Sequence, residues 1–226
     1  MALILHLETA TKNCSVSIAH DGKCLALVEE RTEDYNHAEK LHRFIQYALE
    51  GAATGLLELD AVCVSKGPGS YTGLRIGVSA AKGLCYGLNI PLLAIDTLTV
   101  MTQAISVEAD LMIPMIDARR EEVYSATFDR HKKILSPISA KILDKNSFQE
   151  YSGKKALLFG DGAEKAQNIL DVNFEYLYDL YPSAEGMKTL AEELFRKKYF
   201  EDCAYFEPFY LKDFSSSPPQ SSPHYQ

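Results

Sequence analysis

Gly69, Gly73, Gly77 and Ala81 recur every four residues and lie along one ridge of the helix that they open. Each interior glycine costs a soluble helix ~1 kcal/mol relative to alanine. Two on one face therefore need a physical use. That use is the close approach of another backbone, as in small-xxx-small packing. The approaching backbone is either this chain's own sheet or a helix of a second subunit, and spacing does not distinguish them. Leu74, Val78, Ala81 and Cys85 form a second, apolar stripe beside the ridge. One stripe can then face a sheet while the other serves an interface.

The helix is entered from a strand-like run through Gly67-Pro68-Gly69-Ser70-Tyr71-Thr72-Gly73. Such a turn presents free N–H groups at a helix N-terminus and suits an anion or nucleotide, with Gly67, Gly69, Ser70 and Thr72 as the candidate contacts. A tight turn with Ser70 as N-cap also accounts for it. It is not a P-loop, because Leu74-Arg75 stands where Lys-Ser or Lys-Thr is needed. Gly160-Asp161-Gly162 is a second glycine turn, suited to adenosine or phosphate contact or to a plain left-handed turn.

Around these turns the chain alternates strands and helices. Leu3–Leu7, Ser15–Ala19 and Lys23–Arg31 read as three antiparallel strands, with a hairpin at Asp21-Gly22. Ala38, Leu41, Phe44, Ile45, Ala48 and Leu49 give one helical stripe. A strand over Leu59–Ser65, the glycine helix and a strand over Pro91–Ile95 complete the order β-β-β-α-β-α-β. That is the pattern of a ribonuclease-H-like subdomain. The second half repeats the theme less completely. Leu111–Ile116, Val123–Phe128 and Ala156–Phe159 are its strands, Ala163–Leu170 is a helix, and another helix begins near Pro182-Ser183. The segment after Lys212, rich in serine and proline, is expected to be disordered.

Net charge is −8, so the chain gains no counterion-release energy from polyphosphate, and tight tRNA binding by it alone is not expected. The five cysteines form no CxxC pair and read as reduced thiols. The N-terminus lacks a signal-peptide pattern, and no apolar run approaches the ~20 residues that span a bilayer. A cytoplasmic protein with no membrane contact is expected. His37 and His42 are five apart and point to different helix faces, and no histidine pair supplies a metal site. No G-x-S-x-G elbow is present. Asp117, Arg119 and Glu122 form the main polar cluster, read as a solvated turn or as a partner or nucleotide contact.

In order and spacing these motifs resemble the TsaB (YeaZ-type) family. The run Ser65-Lys66-Gly67-Pro68-Gly69-Ser70-Tyr71-Thr72-Gly73-Leu74-Arg75-Ile76-Gly77 is similar to the family's RGPGSFTGLRIG. Glu8-Thr9-Ala10-Thr11, Ile116-Asp117-Ala118-Arg119, His37, Tyr181-Pro182-Ser183-Ala184 and Pro208-Phe209-Tyr210-Leu211 add to the match. Glu8 departs from the family's usual Asp.

The resemblance implies an α/β fold of the ASKHA (actin/Hsp70-like) type. It has two ribonuclease-H-like lobes, residues 1–98 and a shortened second lobe 99–212, followed by the tail 213–226. It implies a non-catalytic scaffold for the paralogue TsaD, which transfers a threonylcarbamoyl group to N6 of adenosine 37 in tRNAs reading ANN codons. The small ATPase TsaE joins the pair, tRNA is met only through the complex, and a homodimer uses overlapping surface. The first two helices, about Tyr35–Leu49 and Ser70–Tyr86, are implied to build the TsaD interface. Its candidates are His37, Leu41 and Ile45 on the first, and Gly73, Leu74, Gly77, Val78 and Ala81 on the second. No catalytic residue and no cofactor of its own are implied; ATP or ADP would sit at the complex interface. The paralogue's HxxxH metal pair aligns with Thr97 and Met101, which are not hard-metal ligands. The alternative is an autonomous ASKHA-type ATPase or small-molecule kinase, which needs a metal-positioning carboxylate in both lobes.

Overall fold

The computed structural model describes residues 1–32 and 37–212. The expected tail, and the start of the first helix before His37, lie outside them. Two five-stranded sheets form the frame. The first contains β1 (Leu3–Glu8), β2 (Asn13–His20), β3 (Lys23–Arg31), β4 (Ala61–Ser65) and β5 (Leu92–Ile95), in the order β3-β2-β1-β4-β5. β1 pairs antiparallel with β2, Leu5 opposite Ile18, and parallel with β4, Ile4 opposite Ala61.

The second sheet contains β6 (Leu111–Asp117), β7 (Glu122–Asp129), β8 (Ile134–Ile142), β9 (Ala156–Phe159) and β10 (Glu175–Leu177), in the order β10-β9-β6-β7-β8. Counted from the first strand of each lobe, the two sheets have the same order. The actin/Hsp70-like two-lobe fold is thus present, and the second lobe is shortened in its helices rather than in its strands. Where the first lobe has α1 (His37–Gly51), the second has only a 3₁₀ turn, Gln149–Tyr151. Where the first has α2 (Tyr71–Leu88), the second has α4 (Ala163–Ile169). β8 and β10 were not foreseen. Pro137 interrupts the strand pattern of β8, and β10 spans three residues.

Alternation along β1 and β4 sends side chains to both faces of the first sheet. Leu5, Leu7, Val62 and Val64 pack beneath α1 and α2. Ile4, Ala61 and Cys63 pack on the opposite face with Val100, Met187 and Ala191. Val100 lies on α3 (Thr97–Gln103), which Asp96 caps by accepting from the Thr99 N–H at 2.8 Å. Ala191 lies on α5 (Lys188–Arg196). The chain after the second sheet therefore returns to the first lobe, although the sequence assigns residues 99–212 to the second. Asn13, Ser15 and Glu29 fix the return. Asn13 donates to the Pro182 carbonyl at 3.0 Å, Ser15 Oγ accepts from the Ala184 N–H at 3.0 Å, and Ser183 donates to Glu29 at 2.7 Å.

The helix pair and the interlobe cleft

The β1–β2 turn, Thr9-Ala10-Thr11, sits between the starts of α1 and α2. Thr9 donates its hydroxyl to the Gly73 carbonyl at 2.7 Å, and the Ser70 N–H donates to the Ala10 carbonyl at 2.6 Å. His37 Nε2 donates to the Thr11 carbonyl at 2.7 Å. Burial lowers the pKa of His37 and favours this neutral ring. Cβ atoms on Gly69, Gly73 and Gly77 would collide with Ala10 or Thr9. The backbone that the glycine ridge admits is therefore this chain's own.

The residues expected from the sequence to meet a partner lie on the inward side of the helix pair. His37, Leu41, Ile45, Gly73, Leu74, Gly77, Val78 and Ala81 are all buried. They form the inward faces of α1 and α2, where they hold the β1–β2 turn and the first sheet. The outward faces are the ones left open to solvent. On α1 these carry Glu39, His42, Arg43, Gln46 and Tyr47, and on α2 Thr72, Arg75, Ser79, Gly83, Tyr86 and Gly87. Gly83 and Gly87 have nothing within 4 Å of where a Cβ would stand. With Ser79 they make a second small-residue ridge, four apart, that the sequence reading passed over. Tyr86 beside it is 88 % exposed. Arg75 lies over the Tyr71 ring, 4.1 Å from its centroid, and donates to the hydroxyls of Tyr71 and Tyr210.

The glycine turn lines one side of a cleft of about 880 Å³ between the lobes, through Pro68, Gly69, Ser70 and Thr72. Gly67 is buried instead against the Phe209 carbonyl, 2.8 Å from its would-be Cβ. Its φ of 113° is the left-handed region that glycine tolerates. Two donors an anion would use are already engaged: Ser70 N–H with Ala10, and Gly73 N–H with Ser70 Oγ at 3.3 Å. Asp117, Ala118, Arg119, Arg120, Glu122 and Asp161 line the opposite side. Asp117 accepts from Arg119 N–H at 2.6 Å and pairs with Lys165 at 2.6 Å, while Lys212 pairs with Glu122. Asp161 accepts from the Asp117 N–H at 2.9 Å, and burial raises its pKa. The polar cluster at 117–122 thus faces the cleft. Gly160 packs its α-carbon against the Met115 carbonyl, so that turn also serves close packing.

At the end of β1, Glu8 is fully buried, and burial raises its carboxyl to about 7. One oxygen accepts from the Ala10 N–H at 2.7 Å; the other has no partner among the described residues. Thr97 and Met101 share one face of α3 and are buried; Thr97 bonds Ser65 through their hydroxyls at 2.8 Å. Among the described residues, no group of three or more His, Cys, Asp or Glu side chains is placed to hold a metal ion. None of the helices described is long and apolar enough to cross a membrane.

A family model described as "TsaD: tRNA N6-adenosine threonylcarbamoyltransferase" matches residues 31–217. A protein of Buchnera aphidicola subsp. Acyrthosiphon pisum, named tRNA threonylcarbamoyladenosine biosynthesis protein TsaB, is 30 % identical over 185 residues, 78 % of this chain and 83 % of its own. The chain belongs to the TsaB family. The TsaB protein of Escherichia coli K12 is 29 % identical over 221 residues, 93 % of this chain and 94 % of its own. A Pseudomonas aeruginosa crystal structure, described as similar to peptidase YEAZ, superposes with a TM-score of 0.84 at 25 % identity. It covers 94 % of this chain and all of its own.

Proposed function

We propose that the chain takes part in tRNA threonylcarbamoyladenosine synthesis as a non-catalytic scaffold that binds and activates TsaD. The observation that carries this reading is the outward ridge of Ser79, Gly83 and Gly87 on α2, open to solvent beside Tyr86. A soluble helix holds exposed interior glycines at a cost of ~1 kcal/mol each. A partner helix packing closely against them offsets that cost. Arg43 and Tyr47 are exposed on the outward face of the neighbouring α1. A second copy of this chain would compete for the ridge.

The sealed turn at Glu8 supports a non-catalytic role. An ASKHA ATPase places its strand-end carboxylate where a metal-bound phosphate can reach it. Here Glu8 is covered by the Ala10 amide, and Gly69 and Gly73 close over the turn. The cleft still offers Thr72, Arg119 and Arg120 to an anion, which suits ATP or ADP held at the complex interface rather than hydrolysed by this chain. With a net charge of −8, tRNA is met through the other subunits, and TsaE drives turnover. A cytoplasmic location follows from that work.

The test is size-exclusion chromatography with light scattering on this chain mixed with TsaD of the same organism. A 1:1 species is expected, active in threonylcarbamoylation once TsaE, ATP and tRNA are added. Gly83→Leu should remain folded and lose the complex. Two separate peaks at micromolar concentration, with no gain in activity on mixing, would overturn the proposal.

A further inference from the structure

A groove of about 960 Å³ lies between the outer strand of the second sheet and the returning C-terminal segment. Ile134, Leu135 and Ile138 of β8 form one wall; Tyr205, Phe206 and Phe209 form the other. Leu135 is 55 % exposed and Tyr205 84 %. In the first sheet the β5 edge is covered, because the Glu201 N–H donates to the Leu92 carbonyl at 2.9 Å. Among the described residues no strand lies beside the outer edge of β8. Pro137 removes an N–H from that edge, so an occupant gains little from strand pairing and must be held by its side chains.

Charge selects the occupant. The groove is lined by Asp96, Glu201, Asp202 and Glu207, against the single ammonium of Lys66. Asp96 and Asp202 accept backbone N–H groups, from Thr99 and Ala204, which hold them in place on the rim. An apolar floor under a carboxylate rim fits an extended segment whose aliphatic or aromatic side chains are flanked by lysine or arginine. A second copy of this chain, at net charge −8, fits the rim poorly. Residues 213–226 carry no Lys or Arg. We infer that this groove binds a basic, extended peptide segment of a partner protein, at a surface separate from the outward faces of α1 and α2.

The test uses the full chain and a fluorescein-labelled synthetic peptide, Lys-Lys-Leu-Ser-Phe-Ser-Leu-Lys-Lys, with a counterpart in which every Lys is Glu. Fluorescence anisotropy should show saturable binding of the Lys peptide, weakened by added salt and at least about tenfold by Leu135→Asp or by Glu207→Lys. Both sites are exposed, and unchanged circular-dichroism melting of the variants confirms their fold. Equal binding of the two peptides, no binding of either, or indifference to Leu135→Asp would overturn the inference. Peptide binding that tightens by more than about tenfold in a chain ending at Lys212 would assign the groove to the chain's own tail and overturn it equally. So would a dimer, seen by light scattering, that Leu135→Asp dissociates.

Discussion

The hydroxyl of Thr9 fills the place that a Cβ would occupy on Gly77, and it donates to the Gly73 carbonyl at 2.7 Å. A strand end and a helix are joined there with no side chain between them.

Gly77→Leu should therefore destabilise the fold by about 3 kcal/mol, because the obstacles are Thr9 and the Val64 side chain of the sheet. Gly83→Ala has open space around it and should stabilise by about 0.5–1 kcal/mol. Urea unfolding of the two variants checks both signs. A stable, folded Gly77→Leu would show that the ridge does not face the chain's own core.

Glu8 and His6 point from β1 to the same buried face and have opposite pH effects. In the folded chain Glu8 titrates near 7 instead of 4.5, so its contribution to stability falls as pH rises from 4.5 through 7. Burial lowers His6 from 6.5 to about 4, so its contribution falls as pH drops from 6.5 through 4. Between 4.5 and 6.5 the two slopes oppose each other, and these two groups together contribute little net pH dependence. Glu8→Gln should expose the His6 slope and raise stability at pH 8 by up to roughly 3 kcal/mol. Chemical denaturation of parent and variant at pH 4, 5.5, 7 and 8 reads this; parallel curves would refute it.

The cysteines should divide by burial. Cys14 and Cys85 are pushed up to about 12 by burial, and Cys63 is pushed up as well. Cys203 and Cys24 are only half-buried. An aromatic disulfide reagent at pH 8 should label at most these two in the native protein and all five in denaturant. Rapid native labelling of a third thiol would mean that the first lobe opens.

Asn13→Ala should loosen the C-terminal return by removing its 3.0 Å donation to the Pro182 carbonyl. A loss of about 1–2 kcal/mol is expected. Hydrogen exchange should quicken first in α5. Uniform quickening through both sheets would place the effect elsewhere.

The sequence exposed the frame better than the surface. β3 and β9 were read with the bounds they have, because alternation and turn residues agree there. β8 was missed because Pro137 breaks its pattern. The glycine ridge was legible as a close approach, yet glycine spacing records only that a backbone comes near. It cannot say whose backbone that is. Gly83 and Gly87 carry the same spacing on the outward face, where no backbone of this chain approaches. The groove beside β8 has no sequence signature, since its walls lie some seventy positions apart in the chain.

The return of α5 to the first sheet has a consequence for synthesis on the ribosome. The face bearing Ile4, His6, Glu8 and Cys63 is made early, but Met187 and Ala191, which cover it, come near the end of the chain. At about 5–20 residues per second, that face waits on the order of ten seconds or more for its cover. The first lobe to emerge is the last to be finished, and a nascent chain halted before Met187 would present an unclosed apolar surface to chaperones.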